Sequence, residues 1–190
     1  MKNDFGYCGN NVILHYPITV FNPQNVYLFD NTNIYENATL LTMTAKFIMK
    51  INSGAAQGLT VVTGNHTGKV GVWFKDLIHK EDEEKDILVE EDVWIGVNVT
   101  LLAGVKISRG SVIGAGSVCR KSIPPYAIVV GNPAKIVGFR FNPVEVIEHE
   151  KKLYAPSERL TLEILEKTYH KYSLSSSDGI QDYLRLSCSE

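Results

Sequence analysis

The stretch 89–119, VEEDVWIGVNVTLLAGVKISRGSVIGAGSVC, repeats with a period of six residues. Aliphatic or small apolar residues recur at every sixth position: Val89, Ile95, Leu101, Ile107, Ile113 and Cys119. Small or β-branched residues stand four places after each of them: Val93, Val99, Val105, Ser111, Ser117 and Ile123. A six-residue step does not keep to one face of an α-helix, which turns every ~3.6 residues, and a single strand is seldom longer than about ten residues. The period therefore predicts a chain that runs straight, bends at a small residue and runs straight again, as in β-helices built from hexapeptide repeats.

The six-residue pattern also covers residues 28–65. It slips by three residues near Thr44, which predicts a bulge or a short insertion at a corner rather than the end of the coil. Residues 1–25 are rich in Gly, Asn and Pro, with short apolar pieces between them. We expect irregular strands there that cover the open end of the coil, because unpaired strand edges invite association.

Residues 67–88 interrupt the pattern. A loop of this length within a regular repeat is unusual and is often functional. Its aromatic pair, Trp73 and Phe74, would expose a large apolar area to water if nothing covered it. We therefore predict a protruding loop whose aromatic tip packs against another surface, such as an adjacent subunit. His79 lies in the charged part of this loop and is expected to face solvent.

The end of the chain carries helix signals. Asn142 followed by Pro143 is a strong helix start. The first helix is expected to bury Val144, Ile147 and Tyr154. A second helix is expected after Pro156, capped by Ser157, with an apolar face made of Leu162, Leu165, Tyr169 and Tyr172. The prediction is thus an all-β chain with a helical C-terminal appendage: a parallel β-helix domain over residues 1–141, including the protruding loop 67–88, and a helical extension over residues 142–190.

The composition excludes several classes of protein. Hydrophobic residues make up 44% of the 190 residues and the net charge is −2, which offers no general attraction to nucleic acid or anionic lipid. The N-terminus lacks the apolar segment of a signal peptide, and no run approaches the ~20 apolar residues of a membrane span. Cys8, Cys119 and Cys188 are far apart in sequence, which predicts a reduced, cytoplasmic setting. Cys119 is expected in the core.

Three motifs occur in order along the chain: Asp92-Val93-Trp94-Ile95-Gly96, Ile113-Gly114-Ala115-Gly116-Ser117-Val118, and PPYAIVVGNPAK from Pro124 to Lys135. In these motifs the chain resembles the hexapeptide-repeat acyltransferases, which include maltose, galactoside and xenobiotic acetyltransferases and the sugar O-acetyltransferases of polysaccharide clusters. The resemblance covers residues 26–140. It implies a left-handed parallel β-helix of triangular section, a homotrimer, and acetyl-CoA as cosubstrate bound between subunits together with a small-molecule or glycan acceptor.

The resemblance implies that His66 is the catalytic general base. His66 stands where the repeat gives way to the long loop, so it is predicted at the surface. Imidazole suits a base at neutral pH, and direct transfer from a thioester to a hydroxyl needs no covalent intermediate. Relatives often carry a carboxylate three residues later, where this chain has Lys69. The group that orients His66 is therefore either a backbone carbonyl or a carboxylate such as Glu36. From the residues alone, a corner histidine bonded to a loop carbonyl is the alternative.

For the pantetheine arm and thioester of CoA, the resemblance implies four residues. Trp94 is placed near the thioester. The small residues Gly96, Ala115 and Gly116 allow a ligand to approach the backbone closely. Hexapeptide corners need small residues in any case, so a purely structural role is the alternative for these three.

For the phosphates of CoA, the resemblance implies Arg120, Lys121 and Lys135. Guanidinium and ammonium groups suit phosphate, although ordinary surface charge is the alternative. Relatives often have a further basic residue at the place of Gly138, for which Arg140 is the candidate substitute.

The predicted activity is acetyl-CoA-dependent O-acetylation of a sugar or glycan hydroxyl. The alternatives within the family are N-acetylation of an amino or nucleotide-linked sugar and acetylation of a xenobiotic. A metal-dependent β-helix of the carbonic anhydrase type would need three converging histidines, and the five histidines show no ligand spacing, so no metal site is predicted. A scaffold without catalysis is the last alternative, against which the Arg120, Lys121 and Lys135 cluster argues.

Overall fold

The computed structural model describes residues 2–77 and 84–173. The strands, in chain order, are β1 (Tyr7–Cys8), β2 (Ile13–Leu14), β3 (Thr19–Phe21), β4 (Val26–Leu28), β5 (Asn33–Ile34), β6 (Thr39–Leu41), β7 (Phe47–Met49), β8 (Gly54–Ala55), β9 (Thr60–Val62), β10 (Ile87–Val89), β11 (Trp94–Ile95), β12 (Thr100–Leu102), β13 (Lys106–Ile107), β14 (Val112–Ile113), β15 (Val118–Cys119), β16 (Ala127–Val130) and β17 (Lys135–Phe139). The helices are α1 (Pro143–Leu153) and α2 (Leu162–Ser173). The predictions for His79, for the charged run before Glu84 and for the tail after Ser173 concern residues outside the described ranges.

Successive strands enter three sheets in rotation. The first sheet has the order β1-β4-β7-β10-β13, the second β17-β16-β14-β11-β8-β5-β2, and the third β15-β12-β9-β6-β3. All of these pairings are parallel except β16 with β17, which is antiparallel. In the regular part Val89 pairs with Ile107, 18 residues later, so three six-residue units complete one turn of the chain.

The residues at every sixth position form the core. Val89, Ile95, Leu101, Ile107, Ile113 and Cys119 are all completely buried, as the sequence predicts. Equivalent positions pair from one coil to the next, for example Ile95 with Ile113 and Leu101 with Cys119. Each buried aliphatic side chain stabilises the fold by about 1.5–3 kcal/mol relative to exposure. The complete burial of Cys119 confirms that it is a core residue, and the same burial raises the pKa of its thiol to about 11.

The slip near Thr44 is an insertion at a corner, as predicted. β4 and β7 still pair in register across it, with Leu28 opposite Met49. Another corner, between the first and second sheets, holds Asn11, Asn31 and Asn52 in the left-handed conformation, which asparagine tolerates better than most residues. The Asn11 side-chain amide donates to Asn31 Oδ1 (3.1 Å) and the Asn31 amide donates to Asn52 Oδ1 (3.0 Å), so the corners are linked along the coil.

The first helix begins where the sequence predicts but buries a different face. Asn142 Oδ1 accepts from the Glu145 backbone N–H (3.0 Å), and Glu145 Oε2 accepts from the Asn142 N–H (2.8 Å), which is a capping box. The predicted apolar stripe is wrong at Val144, which is 63% exposed, whereas Val146 and Glu150 are fully buried. A polar contact explains which face of the helix is buried. Glu150 Oε1 accepts a hydrogen bond from the Tyr126 hydroxyl (3.0 Å), so the face that carries Glu150 packs against the coil.

The start of the second helix also differs from the prediction. Ser157 lies in a short 3-10 turn, Pro156–Glu158, and α2 begins only at Leu162. Thr161 takes the capping role, because its hydroxyl accepts from the Ile164 N–H (3.3 Å). The helix docks through Leu165, which is buried, and through Tyr169. The ring of Tyr169 stacks on Phe139 in β17, with centroids 3.7 Å apart.

The aromatic tip of the long loop is exposed in the single chain. Trp73 is 77% and Phe74 is 67% exposed, so the predicted packing partner is not supplied by the chain's own described residues. None of the described helices is both long and apolar enough to cross a membrane.

Candidate functional site

His66 lies on the surface at the point where the chain leaves the coil. It follows β9 by four residues, and its side chain is exposed rather than directed into the core. It forms part of the wall of a cleft of about 380 Å³ whose lining residues are Phe21, Leu41, Met43, Val62, Gly64, His66 and Glu84. The sequence-based expectation of a surface position therefore agrees with the structure.

Glu84, which the sequence analysis did not select, closes the base of the long loop. It is almost fully buried, and its Oε2 accepts from the backbone N–H groups of Thr44 (2.7 Å) and Ala45 (2.8 Å). The same oxygen accepts from the hydroxyl of Thr63 (3.2 Å), the first residue after β9. The Lys85 N–H donates to the Thr63 carbonyl (3.0 Å), so both ends of the loop are joined beside the corner insertion.

The three candidate phosphate-binding residues lie at one end of the coil. Arg120 and Lys121 are exposed directly after β15, and Lys135 is exposed at the start of β17. The loop before Lys135 is fixed to β15, because Val118 donates to the Gly131 carbonyl (3.0 Å) and accepts from the Ala134 N–H (2.9 Å). The structure thus brings the three cations to the same region.

The small residues predicted beside the pantetheine arm share one corner, between the second and third sheets. A Cβ on Gly96 would lie 2.7 Å from the Ala115 backbone nitrogen, so only glycine fits there. Gly116 has a φ of +69°, a left-handed backbone conformation that glycine adopts readily because it has no Cβ. Backbone geometry alone is therefore enough to explain both glycines. Ala115 and Gly116 are exposed at the same corner as Gly96.

Trp94 lies on the outer side of the second sheet, on another face from His66. It is 47% exposed and sits opposite Gly54, whose missing side chain leaves room for the indole ring. Trp94 borders a groove of about 590 Å³ that also includes Asn31, Asn52 and Asp92. This groove and the cleft at His66 have no lining residue in common.

Arg140 does not take the role suggested for it. Its Nη1 donates to Asp92 Oδ2 (2.8 Å) and to the Gly110 carbonyl (3.0 Å), which holds the guanidinium against the corner between the first and second sheets. It therefore lines the Trp94 groove instead of joining Arg120, Lys121 and Lys135. In the described ranges, no group of three or more His, Cys, Asp or Glu side chains is positioned to hold a metal ion.

Residues 86–121 match the family described as bacterial transferase hexapeptide, which consists of six repeats. This part of the chain is similar to the bacterial transferase hexapeptide repeats. The match covers the stretch from which the six-residue period was read, and it confirms the resemblance to hexapeptide-repeat acyltransferases.

Solved hexapeptide-repeat structures have the same architecture. A maltose O-acetyltransferase from Clostridium difficile 630 is 25% identical, with a TM-score of 0.66 over 72% of this chain and 71% of that chain. A hexapeptide-repeat-containing acetyltransferase from Vibrio cholerae O1 biovar eltor, solved in complex with acetyl coenzyme A, is 26% identical, with a TM-score of 0.64 over 73% of each chain.

Among curated proteins, a probable macrolide acetyltransferase from Lysinibacillus sphaericus is 38% identical over 108 residues, which is 57% of this chain and 59% of that protein. The chain spans less than two thirds of the length of the curated relatives that it matches, 65% of one and 59% of another.

Proposed function

We propose that this protein is an acetyl-CoA-dependent O-acetyltransferase that acts on a hydroxyl of a sugar or glycan. The observation that carries the proposal is the position of His66: it is a surface imidazole in the wall of a cleft, at the corner where the chain leaves β9 of the third sheet. The similarity to a maltose O-acetyltransferase supports the choice of acceptor.

In the proposed reaction, His66 acts as the general base. Its imidazole takes the proton of the acceptor hydroxyl while the oxygen attacks the thioester carbonyl of acetyl-CoA. The tetrahedral intermediate then collapses, the carbon–sulfur bond breaks, and the imidazolium returns the proton to the departing thiolate of CoA. An acetyl ester and free CoA result, and no covalent acyl-enzyme is formed.

The cosubstrate is proposed to lie along the corner formed by Gly96, Ala115 and Gly116. Its pantetheine arm would run beside these small residues, of which Ala115 and Gly116 are exposed, with Trp94 near the thioester. Its phosphates would meet Arg120, Lys121 and Lys135, whose charges suit phosphate oxygens. The acetyl coenzyme A complex of the Vibrio cholerae relative supports acetyl-CoA as the donor.

We also propose a left-handed coil and a homotrimer with the site between subunits. Trp94 and His66 line separate clefts on different faces of one chain, so a site that uses both needs two chains. The exposed Trp73 and Phe74 of the long loop would then pack on the neighbouring subunit and wall the acceptor site. On this proposal, residues 1–141 form the transferase domain with its loop at 67–88, and residues 142–190 form an extension.

Mixed trimers test this arrangement. His66→Ala and Trp94→Ala chains should each be poorly active alone. When the two are refolded or co-expressed together, about a quarter of wild-type activity should return. The reason is that chains assort at random, so about one interface in four combines the intact His66 of one chain with the intact Trp94 of another. A site within one chain predicts no recovery, since every chain then carries a defect.

A second acceptor class has support from a specific observation. The relative from Lysinibacillus sphaericus that is 38% identical is named a probable macrolide acetyltransferase. Acetylation of a xenobiotic hydroxyl is therefore the second candidate, and N-acetylation of an amino sugar is a further alternative. Release of CoA thiol from acetyl-CoA, measured against sugars, glycosides, amino sugars and macrolides, distinguishes the three. Binding of CoA in calorimetry is required by all of them, and a protein that does not bind CoA is not an acetyl-CoA-dependent transferase.

A further inference from the structure

Arg140 joins two turns at the corner between the first and second sheets. Its Nη1 donates to Asp92 Oδ2 (2.8 Å) and to the Gly110 carbonyl (3.0 Å). Asp92 stands two residues before Trp94 in β11. Gly110 likewise stands two residues before Val112 in β14. Trp94 and Val112 are opposite each other and both line the Trp94 groove, so a single nitrogen atom holds together the turns from which two neighbouring strands of the groove start.

The conformation of Asp92 depends on this contact. Its φ is +56°, in the left-handed region that residues with a Cβ adopt seldom and at a cost. The hydrogen bond from Arg140 joins two charged groups that are partly buried, which makes it stronger than a bond between neutral groups. Arg140 therefore stabilises a turn that Asp92 would otherwise leave more readily.

The direction of the Trp94 indole depends in turn on the strand that carries it. The side chain is half-exposed, and its ring lies over Gly54, where an added Cβ would be 3.1 Å from the ring. Glycine offers no side chain that could fix the ring from that side. The backbone of β11, which begins two residues after Asp92, therefore largely sets where the indole points.

The helical extension fixes Arg140 from the other side. The guanidinium carbon is 5.0 Å from the centre of the Phe141 ring. The Phe141 carbonyl accepts from the Tyr169 hydroxyl of α2 (2.9 Å), and the Phe141 ring centre is 5.0 Å from that of His149 in α1. His149 Nε2 is itself 3.9 Å from Asp92 Oδ2. Both helices thus pack around the residues that reach this corner.

We propose that Arg140 is a positioning residue, through which the docked helical extension holds Trp94 in its working orientation. The proposal rests on the O-acetyltransferase function proposed above, in which Trp94 lies near the thioester. Without the guanidinium, the Asp92 turn and the start of β11 gain freedom, and the indole samples more orientations. The loss of Arg140 therefore slows the chemical step more than it weakens binding of acetyl-CoA, whose phosphates are proposed to meet other residues.

Fluorescence of Trp94 tests the contact independently of activity. The chain has two tryptophans, so Trp73→Phe leaves Trp94 as the sole emitting indole. In this background, Arg140→Met should raise the amplitude of the fast component of the anisotropy decay about twofold, because a less restrained side chain changes rotamer within picoseconds to nanoseconds. Acrylamide should also quench the indole more strongly. An anisotropy decay that does not change in Arg140→Met would overturn the proposal.

Two further variants separate this role from a general loss of stability. Arg140→Lys should restore most of the wild-type decay, because one ammonium nitrogen can donate to both acceptors as the single Nη1 does. Arg159→Met is the matched control, since Arg159 is also a partly buried arginine and donates to two backbone carbonyls within the extension. It should leave the Trp94 decay unchanged. Equal effects of Arg140→Met and Arg159→Met would refute the proposal.

Kinetics of chains that keep both tryptophans test the effect on the reaction. Arg140→Met should lower kcat about threefold to thirtyfold while the KM for acetyl-CoA stays within about twofold, and Arg140→Lys should recover much of the loss. A changed anisotropy decay with an unchanged kcat would refute the positioning role alone. A wild-type protein that neither binds CoA nor consumes acetyl-CoA refutes the transferase function, and the role of Arg140 in the reaction with it, whatever the anisotropy shows.

Discussion

The carboxylate of Glu84 accepts a hydrogen bond from the hydroxyl of Thr63, and the two oxygens are 3.2 Å apart. Thr63 lies just before the long loop, on the same side as His66, and Glu84 lies near the end of the loop. The buried Glu84 side chain therefore fixes the base of the loop at Thr63, which is three residues before the proposed catalytic base. Hydrogen bonds of a carboxylate to several N–H and O–H donors are stronger than neutral ones, which makes this a firm attachment.

We expect Glu84→Ala to lower kcat by about tenfold to a hundredfold, because small displacements of a catalytic group cost rate steeply. The KM for acetyl-CoA should stay within about twofold, since the cations and the small-residue corner lie elsewhere. Glu84→Gln should recover part of the loss, because its amide oxygen can still accept. Steady-state kinetics on folded protein, with thermal unfolding measured alongside, provides the comparison.

Asp86→Ala is the matched control for this effect. Asp86 Oδ1 also accepts from a backbone N–H of the corner insertion, that of Lys46 (2.7 Å), but Asp86 is exposed and is not among the residues that line the cleft. Its loss should leave kcat within about twofold. Equal effects of the Glu84 and Asp86 substitutions would mean that Glu84 has no special relation to His66.

The helical extension is attached to the coil by a buried polar contact. We expect Tyr126→Phe to reduce the free energy of unfolding by about 1–3 kcal/mol, because Glu150 would lose a buried hydrogen-bond donor. Burial, followed by the nearby Glu150 charge, raises the pKa of the Tyr126 phenol well above its ordinary value, so the phenol remains a donor at all working pH values. Denaturant unfolding measures the change, with exposed Tyr16→Phe as the control; equal stability of the two variants would show that the contact is energetically unimportant.

Cys119 is predicted to be unreactive in the folded protein. With a pKa of about 11, almost none of its thiol is ionised at pH 8, and thiolate is the reactive form. Alkylation followed by mass spectrometry should modify half-buried Cys8 at least about a hundredfold faster than Cys119. Because the folded pKa lies above the ordinary value of 9.0, the thiol favours folding below pH 9, and this contribution is lost as the pH rises towards about 11. Rapid labelling of native Cys119 at pH 8 would contradict its placement in the core.

The coil could be predicted from the sequence because its signal is local and repeated. Val89, Ile95 and Leu101 each occupy the same place in a six-residue unit, so their burial follows from the period alone. His66 could be placed at the surface because the period stops there. The helix start at Asn142 could likewise be predicted, because the residues of the cap lie within four consecutive positions, 142 to 145.

What the sequence did not reveal depends on contacts between distant residues. Glu84 reads as one acid in a charged run, and only the fold brings it against Thr44, 40 residues away. The buried face of α1 was misassigned because an apolar pattern takes no account of a buried glutamate that binds Tyr126. Arg140 was a candidate ligand for the phosphates of CoA because the local sequence does not show its ion pair with Asp92, 48 residues away.

The most direct test of the proposed mechanism is the kinetics of His66→Ala with the best acceptor found in the panel, together with CoA binding by calorimetry. Loss of the general base should lower kcat by about a hundredfold to ten-thousandfold, while the Kd for CoA stays within about twofold, because the residues proposed to bind CoA are unchanged. A His66→Ala enzyme that keeps a kcat within about threefold of wild type would show that another group removes the acceptor proton, and would contradict the assignment of His66.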